Sequence, residues 1–247
     1  MIKRAYVRFL GDAPSSSNVA LAAFAFNEMG MNVVPFQGFG DVESDVDCGP
    51  EALVCGFIED VYKALDKLEL PRPPSIDYPE ELRAHYGRRI WEGTLDEIQD
   101  RGLHPGVFVK PRGYQKLFTG FVWRGQPACR LRLAPYPKDT PVFFAEPVTF
   151  IAEHRCYVLD GEIAGVHFYK GDWSQAPNRY IVERAVQAYR PYRAYAIDFG
   201  VLPGERTAVV EVNDAFALGN YGLHSHLYAR MIEARWEELT QSLTVAG

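Results

Sequence analysis

A run of prolines, Pro71-Arg72-Pro73-Pro74, divides the sequence into two parts with different residue patterns. Proline lacks a backbone N–H donor and biases the residue before it away from helix, so neither a helix nor a central strand continues through such a run. The chain of 247 residues is long enough for one large domain or two smaller ones. We therefore place a domain boundary near residue 75, with one domain over residues 1–75 and another over residues 76–247.

The first part has the pattern of a small α/β domain. Residues 5–10 predict a strand, and the serines before the apolar run at 19–29 offer N-cap oxygens for a helix that ends at Gly30. Residues 31–36 predict a second strand. Pro50 suits a first helical position, and apolar residues then recur every four positions, which predicts an amphipathic helix.

The second part becomes rich in predicted strands after residue 105. Before it we expect helices over about 79–91 and from Thr94, which forms a capping box with Glu97. Asp160-Gly161 is a two-residue turn that predicts a hairpin. Strands are predicted over 107–110, 121–123, 128–133, 142–144, 149–159, 162–169, 195–199 and 208–212, with helices near 176–189 and at the C-terminus. An α/β segment followed by an antiparallel region indicates the α+β class.

Composition excludes several classes of protein. The net charge is −6 and the chain has no basic run, which disfavours nonspecific binding to nucleic acid. No window approaches a membrane span, and the N-terminus lacks the pattern of a signal peptide. The four cysteines form no metal-binding motif, so we expect reduced, mostly buried thiols and a cytoplasmic location.

Two lysines are candidates for binding an anion. Lys110 ends an apolar strand, and Lys116 lies in a loop that has a glycine at each end, Gly113 and Gly120. Such a loop lets backbone N–H groups approach an anion, and a lysine supplies a mobile point charge. The same pattern also suits a plain hairpin with solvated lysines.

Carboxylates within apolar strands are candidates for binding a metal ion. Asp198 lies in one predicted strand, and Glu211 and Asn213 lie in the next, two residues apart and therefore on one face. Buried carboxylates are usually paired or metal-bound, and two carboxylates with an amide oxygen suit Mg²⁺. The alternative is a polar edge that faces the solvent.

The segment between these groups has further polar candidates. Glu146 precedes Pro147, whose missing N–H suits a connection between two lobes. Glu153 and Arg155 alternate on one face of the next strand, where the acid can accept from ribose hydroxyls and the guanidinium can hold a phosphate or carboxylate. The alternative is a cross-strand salt bridge of little energetic weight.

Taken in order over about residues 100–222, these segments resemble the ATP-grasp superfamily, and most closely its small members with a reduced N-terminal domain. The resemblance implies an ATP-grasp fold in which two α+β lobes, about residues 76–145 and 146–247, clamp a nucleotide after a short N-terminal α/β domain. It also implies roles for individual residues. Those roles are Lys110 and Lys116 for phosphate, Glu146 to Val148 for adenine, Glu153 for ribose, and Asp198, Glu211 and Asn213 for metal.

The sequence departs from the superfamily's pattern at one position. Many of its ligases have an arginine two residues before the metal-binding aspartate, and this chain has Ala196 there. Arg155, Lys170 or Arg193 are candidates for supplying the missing catalytic charge.

The resemblance implies an ADP-forming carboxylate–amine ligase that uses ATP and Mg²⁺, with Mn²⁺ as an alternative ion. Its substrates would be a small molecule or a peptide with a carboxylate, and an amine acceptor. Two alternatives keep the fold: a phosphotransferase that acts on a hydroxyl, and a nucleotide-binding module with little turnover. A metal-dependent nuclease is disfavoured by the acidic charge.

Overall fold

The structure is a computed structural model that describes residues 1–39, 46–101, 106–113 and 117–245. In this part of the chain the strands form three four-stranded sheets. The strands are β1 (Arg4–Leu10), β2 (Ala13–Pro14), β3 (Asn32–Phe36), β4 (Ala52–Cys55), β5 (Ile90–Thr94), β6 (Val107–Pro111), β7 (Phe121–Trp123), β8 (Pro141–Ala145), β9 (Ala152–Leu159), β10 (Glu162–Gly171), β11 (Ala194–Leu202) and β12 (Arg206–Asp214). The helices are α1 (Ser17–Glu28), α2 (Ile58–Lys67), α3 (Leu95–Gln99), α4 (Pro127–Leu133), α5 (Arg179–Ala188) and α6 (Ser225–Val245), with 3₁₀ helices at Glu80–His85 and Ala215–Ala217.

The N-terminal sheet is parallel at its centre, as the α/β pattern predicts. β1 pairs in parallel with β3 and with β4, and β2 adds a short antiparallel edge. The side chain of Ser16 accepts a hydrogen bond from the backbone N–H of Val19 at the start of α1, so the predicted N-cap is confirmed. The helix predicted from Pro50 is wrong in its first half, because residues 52–55 are fully buried and pair with β1 before α2 begins at Ile58.

The second sheet has the order β5-β8-β6-β7 and is antiparallel throughout. Two predictions are wrong here. The helix over 79–91 is a short 3₁₀ helix followed by β5, because residues 90–94 pair with β8. The strand over 128–133 is helix α4, which begins with Pro127 at a position where no backbone N–H is needed.

The third sheet has the order β10-β9-β11-β12 and is also antiparallel. Asp160 and Gly161 both have positive φ angles, 51° and 83°, and join β9 to β10, so the predicted hairpin is confirmed. β9 and β11 are the two central strands, and their residues are buried almost throughout. Helix α5 packs on one face of this sheet.

Three apolar cores lie between these layers. The first joins the N-terminal sheet, α1 and α2 to α6 and to one face of the β9–β12 sheet, with Trp236 fully buried in it. The second lies on the opposite face under α5 and includes Leu82 and Tyr86, which follow the predicted boundary in the chain. The third belongs to the β5–β8 sheet alone. None of the helices in the described residues has the length and hydropathy of a membrane span.

Candidate functional site

A cleft of about 710 Å³ lies between the β5–β8 sheet and the β9–β12 sheet, and the start of α2 lines one part of it at Ile58. The structure brings seven of the predicted site residues to the lining of this cleft. They are Lys110, Glu146, Val148, Glu153, Lys170, Glu211 and Asn213. These residues come from both sheets and from the connection between them, so the cleft is the candidate active site.

The predicted metal-binding residues lie on neighbouring strands. Asp198 of β11 is directly opposite Glu211 of β12 in the antiparallel ladder. Glu211 and Asn213 both line the cleft, and the side-chain amide of Asn213 donates to Asp198 Oδ2 over 3.3 Å. The period of two in the strand therefore places the three oxygen-bearing side chains together, as the sequence predicts.

Asp198 also forms a buried ion pair with Arg155 of β9. Nε and Nη2 of Arg155 donate to the two carboxylate oxygens of Asp198, each over 2.7 Å, and the side chains are only 7% and 2% exposed. Burial raises the pKa of the Asp198 carboxyl, and the hydrogen bonds from Arg155 oppose that rise. Arg155 thus lies beside the predicted metal site, where the superfamily resemblance needs a charge.

Lys110, at the end of β6, is held between two carboxylates and an aromatic ring. Its ammonium lies 2.9 Å from Asp77 and 3.2 Å from Glu211, and 4.5 Å from the centre of the Tyr78 ring. Burial lowers the pKa of Lys110, but Tyr78, Glu211 and Asp77 outweigh it, so the net pKa is raised. The lysine is therefore a fixed cation that faces the cleft from the β5–β8 sheet.

Glu153 has partners on the neighbouring edge strand β10. Lys170 lies 2.5 Å from one of its oxygens, and the Tyr169 hydroxyl donates to the other over 2.9 Å. The ring of Tyr169 stacks on Tyr221 with 4.7 Å between the ring centres. Burial, followed by the charges of Asp198 and Glu153, raises the pKa of Tyr169, so this hydroxyl stays protonated at neutral pH.

The segment Glu146–Val148 connects the two sheets at the cleft. The backbone N–H of Glu146 donates to the carbonyl of Arg89, and its carboxylate accepts from the backbone N–H of Arg89. These contacts extend the β5–β8 pairing by one residue beyond the Ile90 and Ala145 pair. Pro147 follows, and the chain then enters β9, as expected for a connection between lobes.

Two predicted residues do not join this group. Arg193 lies half-exposed beside the β9–β10 turn, where its guanidinium binds Asp160 and Glu237. It is absent from the residues that line the cleft, so the structure does not bring it to the candidate site. Lys116 lies outside the described residues.

Sequence reasoning missed three cleft residues, and all of them precede β5. Asp77 and Tyr78 follow the proline run, and Arg88 donates to the backbone carbonyls of Val209 and Val210 in β12. The sequence contains no signal for these roles, because their partners are separated from them by tens of residues. The pairing of Lys110 with Asp77 depends on where the chain runs after the proline break.

The oxygen donors fit a magnesium ion shared with phosphate groups. Glu211 uses Oε2 for Lys110, and in the described residues no hydrogen bond engages its Oε1. Asn213 uses its amide nitrogen for Asp198, which leaves the amide oxygen as a donor to metal. Mg²⁺ is usually held by one or two protein oxygens together with phosphate oxygens and water, so this partial set suits it. No group of three acidic, histidine or cysteine side chains in the described residues forms a complete protein cage.

The cysteines do not supply a nucleophile to the cleft. Cys48, Cys55 and Cys156 are buried, Cys129 is partly buried, and none lines the cleft. Burial raises the pKa of both Cys55 and Cys156 to about 12, so these thiols stay protonated.

Two β-rich lobes that face each other across a cleft containing a lysine and strand-borne carboxylates define the ATP-grasp type of fold. A family model described as an ATP-grasp domain, the second family of its clade, matches residues 85–231, more than half of the chain, and the chain belongs to this family. The resemblance inferred from the sequence is therefore confirmed, and so is the α+β fold class.

Solved structures show the same fold at low sequence identity. The D-cycloserine synthetase DcsG is 14% identical with a TM-score of 0.61, covering 94% of this chain and 99% of its own. D-alanine–D-alanine ligase from Bacillus anthracis is 14% identical with a TM-score of 0.51, covering 98% of each chain. The macrocyclase MdnC from Microcystis aeruginosa, bound to precursor peptide MdnA, is 11% identical with a TM-score of 0.52, covering 97% of this chain and 99% of its own. A comparison with curated protein sequences found no match.

Proposed function

We propose that this protein is an ATP- and Mg²⁺-dependent carboxylate–amine ligase that forms ADP and an amide. The observation that carries the proposal is the convergence of Lys110, Glu153, Glu211 and Asn213 on one cleft. A fixed cation, a ribose-accepting carboxylate and strand-borne oxygen donors are the groups that phosphoryl transfer from ATP needs, because this chemistry depends on positioning and charge.

The nucleotide would lie along the cleft between the two sheets. The connection Glu146–Val148 would contact the adenine and Glu153 would accept from the ribose hydroxyls. Lys110 would neutralise the phosphates, and Glu211 with Asn213 would hold Mg²⁺. We propose residues 76–145 and 146–247 as the two lobes, with residues 1–75 as the reduced N-terminal domain.

The bound metal would offset negative charge on the β- and γ-phosphates. A substrate carboxylate oxygen forms a bond to the γ-phosphorus as the bond to ADP breaks, which gives an acyl phosphate. An amine then attacks the acyl carbon, phosphate leaves, and the amine loses a proton. Lys110 stabilises the transferring group, and Arg155 supplies charge from β9 through Nη1, which lies outside its ion pair. Closure of the lobes excludes water, which would hydrolyse the acyl phosphate.

The test is ATP turnover by variants of the two strongest site residues. Glu211→Ala and Lys110→Met are each expected to abolish ADP release in the presence of amine and acid substrates while the fold is retained by circular dichroism. Glu183→Ala is the matched control, because Glu183 lies on α5 in an exposed pair with Arg179. Normal ADP release by a folded Glu211→Ala variant would contradict the assignment.

The first alternative is a phosphotransferase that acts on a hydroxyl. Stoichiometric formation of an amide with ADP supports the ligase, whereas a phosphorylated product supports the phosphotransferase.

One observation favours the other alternative, a nucleotide-binding module with little turnover. Both oxygens of Asp198 accept from Arg155, so this carboxylate is engaged before any metal binds. ATP binding by calorimetry without ADP release, over a broad panel of acids and amines, would support that function.

The substrates are proposed by class. The compared proteins include a synthetase of D-cycloserine, a ligase of D-alanine and a macrocyclase bound to a precursor peptide. By analogy, the carboxylate and amine here would belong to a small molecule or a peptide. Free cysteines support a reducing compartment, and we propose the cytoplasm. The oxygen donors give no reason to prefer Mn²⁺ over Mg²⁺.

A further inference from the structure

Asp77 lies within the nucleotide cleft although it belongs to the segment that follows the proline run. Its Oδ1 lies 2.9 Å from the ammonium of Lys110. Its Oδ2 accepts from the Ser75 hydroxyl over 2.5 Å and from the backbone N–H of Gly113 over 3.2 Å. An ammonium, a hydroxyl and a backbone N–H at the start of a glycine-flanked loop are the kinds of donor that bind phosphate oxygens.

The backbone of Asp77 is fixed as well as its side chain. Its φ angle is +41°, in the left-handed region that aspartate and asparagine tolerate better than most residues. Its carbonyl accepts from the backbone N–H of Val212, which lies between Glu211 and Asn213 on β12. Asp77 therefore connects the phosphate lysine, the first glycine of the loop and the strand that carries the metal-binding residues.

The charges around Lys110 are consequential for an incoming nucleotide. Asp77 and Glu211 place two carboxylates around one ammonium, and the side chains of Lys110 and Asp77 are each only 14% exposed. A phosphate tail that approaches Lys110 meets an excess of negative charge. It must either remain beside the Asp77 carboxylate or displace it from its donors, and the second arrangement avoids the repulsion.

We propose that Asp77 is a positioning residue that occupies the place of a phosphate oxygen and is displaced by ATP. It holds Lys110 and the Gly113 N–H in an anion-binding arrangement before the nucleotide enters, and it sets the affinity for the phosphate tail by competing with it. This inference rests on the proposed function, since the competitor is the phosphate tail of ATP.

The test compares ATP affinity among variants of the full chain by calorimetry with Mg²⁺. Asp77→Asn keeps a side chain suited to the left-handed backbone but removes the charge, so ATP is expected to bind about tenfold more tightly. Asp77→Glu keeps the charge and is expected to stay within about threefold of the unmodified protein. The matched control is Asp66→Asn, which removes an exposed carboxylate that pairs with Arg72 in the same connection, and is expected to leave ATP affinity unchanged.

Two further ligands assign the effect to the phosphate subsite. Inorganic tripolyphosphate is expected to gain affinity in Asp77→Asn as ATP does, whereas adenosine is expected to bind equally to both proteins. A merely structural role would weaken the binding of all three ligands. Equal or weaker binding of ATP by a folded Asp77→Asn variant overturns the inference.

Hydrogen exchange of the unmodified protein gives a second measurement that needs no variant. The backbone N–H of Val212 is expected to lose protection when ATP is added, because its acceptor on Asp77 moves. A gain in protection at Val212 would overturn the inference. Binding of ATP to the unmodified protein without tightening in Asp77→Asn refutes only this inference, whereas absence of ATP binding in both proteins refutes the proposed function with it.

Discussion

The buried pair of Arg155 and Asp198 should dominate the stability of the β9–β12 sheet. Replacing Arg155 with alanine removes two hydrogen bonds of 2.7 Å and leaves a carboxylate that is 2% exposed without its cation. Removal of one partner from a buried ion pair costs about 3–5 kcal/mol. The exposed pair of Arg179 and Glu183 on α5, with side chains 91% and 40% exposed, is the matched control, and Arg179→Ala should cost under about 1 kcal/mol.

The assay is urea denaturation at pH 7, followed by tryptophan fluorescence and circular dichroism. The double variant Arg155→Met with Asp198→Leu should recover most of the lost free energy of unfolding, because it leaves no buried charge. A loss in Arg155→Ala no larger than that in Arg179→Ala would refute the reasoning. It would mean that the carboxylate of Asp198 finds other partners at little cost.

Three other outcomes are expected. Burial lowers the pKa of His154 below its ordinary value of 6.5, so its contribution to stability is present above that pH and is lost as pH falls through the lower folded pKa; His154→Phe should flatten part of the fall in melting temperature between pH 7.5 and 5. Gly200→Ala would bring a Cβ to 2.0 Å from the Phe150 ring in the cleft, so it should lower the free energy of unfolding by about 1–3 kcal/mol and weaken ATP binding, whereas Gly49→Ala, with no atom within 4 Å, should do neither. Arg88→Met should lower the free energy of unfolding by about 1–3 kcal/mol in urea titrations, because backbone carbonyls of β12 lose their donor, and an unchanged midpoint would contradict this role.

Local signals in the sequence predict the parts of the site that depend on a single strand. The alternation of Glu211 and Asn213 predicts a shared face, and both line the cleft. Asp198 lies opposite Glu211 because consecutive antiparallel strands usually pair, which the short connection between β11 and β12 favours. The position of Lys110 at a strand end is predicted in the same way.

The parts that sequence reasoning missed depend on contacts between distant segments. Asp77 lies in a connection whose path cannot be read from periodicity, and its partner Lys110 is 33 residues further along the chain. The five residues of β5 lack a clear alternation, so the sequence does not distinguish them from helix, and pairing with β8 decides their conformation. Tertiary context thus determines the features that local propensity leaves undecided.

The distribution of the cores determines which part of the molecule can move when a nucleotide enters. The N-terminal sheet, α6 and one face of the β9–β12 sheet share a continuous apolar interior, so sliding one against another would open that interior to water. The β5–β8 sheet has its own core and connects to the rest through residues 86–89 and 146–151. Opening and closing therefore fall to this smaller sheet, which carries Lys110 toward or away from carboxylates that stay at rest on the larger body.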